Sequence, residues 1–231
     1  MTKITYLGID ETSLGIGSDS IILVAAETEN PDLCKSAGYL ALKKSKDYLR
    51  AANAYIESEN RDNQGIRPSK VPNLPNISEM KANGLKTFHW TRARGGRFPR
   101  QLIEHAGIAH VVATNGYNPS STVLLIDVFY ANLDKSRFLI KEYLHARGFK
   151  IPSQNIELWG SGDKTIPIIN YADLLAFQVG LYLNEKYRRY FPERLKFPLK
   201  PSEIPYDEQR VMVPLESNSR DILEKLVSSW K

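Results

Sequence analysis

Five acidic residues stand where their type and setting could do chemistry: Asp10, Glu11, Asp127, Asp163 and Asp173. Asp10 closes an apolar run that begins at Lys3, and Glu11 follows directly. Asp127 lies at the end of Thr122-Val-Leu-Leu-Ile-Asp127, inside the most apolar run of the chain. Asp163 sits in a Gly-Ser-Gly-Asp-Lys stretch, and Asp173 comes ten residues later, at the start of an apolar helix pattern. An isolated ionised carboxylate in apolar surroundings is very costly. Several that converge can share a hard divalent cation, and oxygen-only ligands suit Mg2+ or Mn2+. Two such ions, about 4 Å apart, are the usual equipment for hydrolysing a phosphodiester. Each acid also has a local explanation. Asp10-Glu11 precedes a Ser/Gly turn, Asp127 could meet solvent at a strand end, and Asp163 lies in a loop. Asn170-x-x-Asp173 has the form of a capping box, and an acid there suits a helix dipole. Their joint placement, at the ends of successive elements, is what a single cation site requires.

Basic residues supply the complementary half. Arg92, Arg94, Arg97 and Arg100 surround Gly95-Gly96, just after His89-Trp90. Guanidinium forks bind phosphate bidentately, glycines let backbone N–H groups approach, and an aromatic can stack on a base. Lys164 could orient a phosphate or pair with Asp163. Lys43, Lys44, Lys46 and Arg50 fall on a predicted helix, whose charged face is ordinarily just solvated. The net charge of +5 over 231 residues mildly favours a polyanionic partner, DNA or RNA. The four histidines lack metal-ligand spacing, and the single cysteine, Cys34, can form no internal disulfide.

These residues need elements to position them. Residues 3–10 and 21–27 read as the strands of an antiparallel hairpin. Helical spacing runs from about residue 39 to 56. Residues 58–97 are expected to be an insertion, with a short strand or helical turn at 85–90, because Pro68, Pro72 and Pro75 prevent long regular structure. A helix over 99–106, a strand over 108–114, the central strand at 122–129, a helix over 134–147, a strand at 156–159 and a long helix from 170 to 188 complete the pattern. Strands alternating with helices imply crossovers and parallel pairing. The expected architecture is α/β: one domain over residues 1–190 with a mixed sheet flanked by helices. A C-terminal extension over 191–231 would pack on it. Five of the 13 prolines lie between Pro192 and Pro214, and a last helix is expected near 219–230. No apolar run is long enough to span a bilayer and no leader-like N-terminus is evident, so no membrane partner is expected and the cytoplasm is the expected location.

The acidic motifs carry a family resemblance. Gly8-Ile9-Asp10-Glu11-Thr12-Ser13-Leu14-Gly15 resembles the Gly-Ile-Asp-Glu-Ala-Gly-Arg-Gly opening of type 2 ribonucleases H, and Asp127 resembles their third acid. The segment from Asp163 through Pro167 to Ala172 is similar to their Asp-x-Lys-Tyr-Pro-Val-Val-Ser-Ala-Ala, which makes Asp163 the fourth. Asp10-Glu11-Thr12-Ser13 and Asn170-Tyr171-Ala172-Asp173-Leu174 also resemble the Asp-Glu-Ser-Gly and Gln-x-Ala-Asp-Leu motifs of a ribonuclease H-like family of predicted nucleases, which makes Asp173 the last ligand instead. The resemblance implies a ribonuclease H-like fold and a two-metal nuclease acting on DNA or RNA. Thr12-Ser13-Leu14-Gly15 departs from the type 2 Gly-Arg-Gly, so RNA–DNA hybrid specificity is not implied. Two other classes compete. One is a nucleic-acid-binding protein that keeps the fold without turnover. The other is a nucleotide phosphotransferase or phosphatase, for which Leu14-Gly15-Ile16-Gly17 is a weak phosphate loop.

Overall fold

The computed structural model describes residues 3–12, 20–37, 77–94, 100–128, 132–183 and 210–212. Its centre is a mixed sheet made of β1 (Thr5–Thr12), β2 (Ser20–Thr28), β3 (Leu85–Arg94), β4 (Thr122–Asp127), β5 (Ile156–Trp159) and β6 (Arg210–Met212). The spatial order is β5-β4-β1-β2-β3-β6. β1, β2 and β3 form an antiparallel meander, and β4 and β5 join β1 in parallel. The described helices are α1 (Ile77–Ala82), α2 (Arg100–Ala113), α3 (Leu133–Ala146) and α4 (Pro167–Leu183). None is long and apolar enough to cross a membrane.

Strand alternation sorts the core into two layers. Leu7 and Ile9 of β1, Leu23 of β2 and Ile126 of β4 pack with apolar residues of α2 and α3. The other face, with Val24, Ala26, Phe88, Trp90 and Leu125, packs against α4. Gly8 and Asp10 belong to this second face by the same alternation. The helix α4 is pressed hard onto β1: a Cβ at Gly8 would stand 2.4 Å from the Ile168 carbonyl oxygen. Only glycine permits that approach.

Several expected elements appear as read. The hairpin, the central strand, the 156–159 strand and the helix before Gly148 are present. α3 is capped by Asn132, whose side chain accepts from the Lys135 N–H, and is followed by Gly148 at φ 80°.

Three elements differ. The strand expected at 108–114 is the second half of α2. Residues 103–112 are all buried, so no polar stripe discloses the helical period. The glycine in its middle does not break the helix. A Cβ at Gly107 would lie 2.1 Å from Leu23 Cδ1, so the glycine serves close packing on β2. Residues 77–94, placed by sequence in the insertion with only a short strand or helical turn at 85–90, form α1 and a ten-residue strand, β3, paired along the length of β2. Phe88 and Trp90 alternate with polar residues, which marks a strand, but Thr91, Arg92 and Arg94 carry too little apolar character to show how far it runs. Finally, α4 starts at Pro167, so Asp173 lies in its second turn and Asn170 is no cap. Of the C-terminal extension, β6 is described, parallel to β3 at the sheet edge. The helices expected at 39–56 and 219–230 and the glycine loop at 14–17 lie outside the described residues.

Candidate metal centre

The carboxyl ends of β1 and β4 lie side by side. The parallel register runs to Ile9 opposite Ile126, so Asp10 and Asp127 are the next residues on adjacent strands, facing α4. Their backbones are about 5 Å apart, the spacing of neighbouring strands. Asp10 is 8% exposed, and its Oδ1 accepts the Glu11 N–H at 2.7 Å. Burial pushes the Asp10 carboxyl well above the usual carboxylate range, and the negative charges of Asp173, Glu11 and Asp127 add to the rise. The structure therefore brings four of the five expected acids into one field centred on Asp10.

Asp127 is held by the loop that follows β5. Gly162 N–H donates to its Oδ1 at 3.1 Å and Asp163 N–H to its Oδ2 at 3.3 Å. The loop makes a 3-10 turn, Gly162–Lys164, entered through Ser161 in the left-handed region at φ 66°. A Cβ on Gly162 would meet Ile169 Cδ1 at 2.7 Å and Trp159 Cβ at 2.8 Å, so the turn sits tight against α4 and β5. Asp163 itself is buried, and its N–H is one of the two that hold Asp127. Asp173, half-buried on α4, is the charge that acts most strongly on Asp10.

Glu11 takes the opposite side of β1. Its Oε1 accepts from Arg100 Nη2 at 3.0 Å, an ion pair to the first residue of α2. Arg100 is counted by sequence with the arginines around Gly95-Gly96 and at the start of the 99–106 helix, and strand alternation at Asp10-Glu11 is the signal that the two acids face different helices. Arg92 is half-buried on β3. It is paired with Ile22, which is also paired with Thr12, so it lies at the same end of the sheet as the acids, two strands from β1. The backbone of Arg94 lies beyond it on β3, whereas Arg97 is outside the described residues. Lys164 Nζ donates to Ser161 Oγ at 3.3 Å, in the turn that holds Asp127.

The donor types are all oxygen, Asp10 with three further carboxylates in its field, and oxygen donors are what Mg2+ or Mn2+ take. Among the described residues, however, no three of His, Cys, Asp or Glu stand close enough together to hold an ion.

The fold defines an α/β protein whose mixed sheet runs 3-2-1-4-5, with a sixth strand at the β3 edge. It is similar to a solved structure of RNase HII in its complex with PCNA from Archaeoglobus fulgidus. Identity is 12%, the TM-score 0.45, and the match covers 98% of this chain and 90% of that one. The sequence matches no protein-family model and no curated protein.

Proposed function

We propose that this chain is a divalent-cation-dependent nuclease that hydrolyses phosphodiester bonds of DNA or RNA. The single observation that carries the reading is Asp10: a buried carboxyl beside Asp127, with Asp173 and Glu11 in its field. A fold accumulates such repulsion at a cost, and a cation between the acids would offset it. Mg2+ or Mn2+ ions, when bound, would supply Lewis-acid activation of water and charge stabilisation for the leaving oxygen.

The chain's own residues have distinct tasks in this reading. Asp10 is the shared central ligand. Asp127 is a ligand fixed in orientation by two backbone N–H groups. Asp173 supplies the fourth carboxylate from α4, in preference to Asp163, whose N–H serves Asp127. Glu11 completes the set from the far side of β1, restrained by Arg100. Arg92 and Lys164, at the same end of the sheet, would receive phosphates of the substrate, together with Arg94 and Arg97. The basic net charge raises the local concentration of a polyanion.

The test is one panel of single-stranded, duplex, hybrid and branched DNA and RNA with Mg2+ or Mn2+, comparing the wild type with Asp10→Asn. Cleavage is expected from the wild type, and its loss of at least about 100-fold from the variant, the order of a lost ligand or electrostatic contact. Cleavage that survives the substitution would remove the proposal. A second reading, nucleic-acid binding without turnover, is favoured by two observations: Glu11 is already paired with Arg100, and among the described residues no three of His, Cys, Asp or Glu stand together to hold an ion. Retained binding with no cleavage by the wild type would select it.

A further inference from the structure

Asn170 is 1% exposed at the start of α4, three residues before Asp173. A buried amide needs a partner, because an unmet donor in the interior costs roughly 1–3 kcal/mol. Its Nδ2 donates to the Asp163 carbonyl oxygen at 2.9 Å. That carbonyl belongs to the same 3-10 turn whose Gly162 and Asp163 N–H groups grip the Asp127 carboxylate. The turn is closed within itself by the Thr165 and Ile166 N–H groups, which donate to the Gly162 carbonyl at 3.0 and 2.7 Å just before α4 begins. Asn170 and Asp173, three residues apart, lie on one side of α4. One helical turn therefore carries both a carboxylate acting on Asp10 and the amide that clamps the cradle of Asp127.

We propose that Asn170 is a positioning residue for Asp127, acting through the Gly162–Lys164 turn and never touching substrate or ion. The inference rests on the reading of the acids as a cation site, but its first consequence is independent of any cation. Without the amide, the turn loses its tie at Asp163, and the Gly162 and Asp163 N–H groups are released from Asp127 more often. The motif Asn170-x-x-Asp173 then has a physical logic. Helix geometry places a clamp and a charge at a fixed offset, so the orientation of Asp127 is coupled to the position of Asp173.

The experiment is amide hydrogen exchange of the full-length protein, with Mn2+ titration calorimetry alongside and no nucleic acid present. Asn170→Leu keeps the size and removes the donor. Exchange at Gly162 and Asp163, in the turn before α4, is expected to rise roughly tenfold more than along α4 itself, as a local opening. Mn2+ affinity is expected to fall about tenfold, the usual order for an outer-shell partner of a ligand. Asn170→Gln, which keeps the amide donor, is expected to restore both toward wild type. If Asn170→Leu does not fold, Asn170→Ala is scored in the same way. Exchange that rises evenly along α4, or not at all, would overturn the proposal, since a plain packing role predicts the even rise. Wild-type protein that binds no Mn2+, with the local exchange effect intact, would instead overturn the cation reading and leave the clamp standing.

Discussion

Asp10 is a residue the fold holds at its own expense. Its carboxyl is raised by burial and by three neighbouring acids, so the folded protein keeps a proton there that the unfolded chain gives up. The sign follows. With the folded pKa above the unfolded value, stability is full below the unfolded pKa and declines as pH rises through the folded one. At neutral pH Asp10 therefore destabilises the cation-free protein. Asp10→Asn removes the charge at nearly constant shape, and is expected to raise cation-free stability by roughly 1–2 kcal/mol, a typical single-site magnitude, while abolishing Mn2+ binding. Urea denaturation with chelator, paired with calorimetry, checks both. A variant less stable than wild type would mean that Asp10 is a structural hydrogen-bond acceptor. The rival fourth ligands separate in the same way. Asp163→Ala preserves the N–H that holds Asp127, and Mn2+ affinity is expected to stay within about threefold of wild type. Asp173→Asn is expected to lose about tenfold or more. The reverse order would restore Asp163 as ligand.

The elements that bring these acids together depend on two glycines. Gly8 lets α4 approach β1 until a Cβ would meet backbone at 2.4 Å, and neither partner can rotate away. Gly8→Ala is expected to cost about 1–3 kcal/mol by overpacking, and to weaken Mn2+ binding by moving Asp173 away from Asp10. Thermal melting and titration of the variant measure the two effects. Lost stability with unchanged affinity would show that α4 shifts without carrying Asp173. Gly162 plays the matching part for Asp127, between Ile169 and Trp159. How legible this was follows from what each element shows a reader of the sequence. Asp10 and Asp127 were visible because an acid interrupts an apolar strand. Asp173 was visible only as a helix-start acid, since nothing local places it over Asp10. The cradle of Asp127 was invisible, because backbone N–H groups carry no side-chain signature. β3 was legible only as a short strand or helical turn at 85–90, because its inward Phe88 and Trp90 are outnumbered by Lys86, Thr87, His89, Thr91 and Arg92. Helix α2 was misread in part because a helix buried over ten residues lacks the polar stripe that marks its period.

Taken as a whole, the molecule treats its buried charges differently at the two ends of the sheet. At the end away from the site, Glu27 is buried but holds Lys86 at 2.8 Å and the Tyr117 hydroxyl at 3.3 Å, and Glu29 pairs with Lys3 and Lys86. At the other end, Asp10 is raised first by burial, and the charges that act on it are further acids. The fold can neutralise a buried carboxylate with lysine and does so where no function is inferred. Beneath both ends lies His105, fully buried in α2, whose pKa desolvation lowers from 6.5 to about 4. The neutral ring is therefore the folded form at neutral pH. The unfolded chain binds a proton below about 6.5 that the folded one refuses until about pH 4. Stability is thus fully present above pH 6.5, falls as pH drops through this window, and levels off below the folded value. The loss amounts to about 3 kcal/mol, at 1.36 kcal/mol per unit. Carboxylates titrate in the same range, so the measurement is a difference: urea denaturation of wild type and His105→Leu from pH 7 to 4. The variant is expected to lose markedly less stability than wild type over that span, the gap opening below pH 6.5. Parallel curves would show that α2 opens enough to hydrate His105, and that the buried helix is not the rigid floor on which the sheet's acids are arranged.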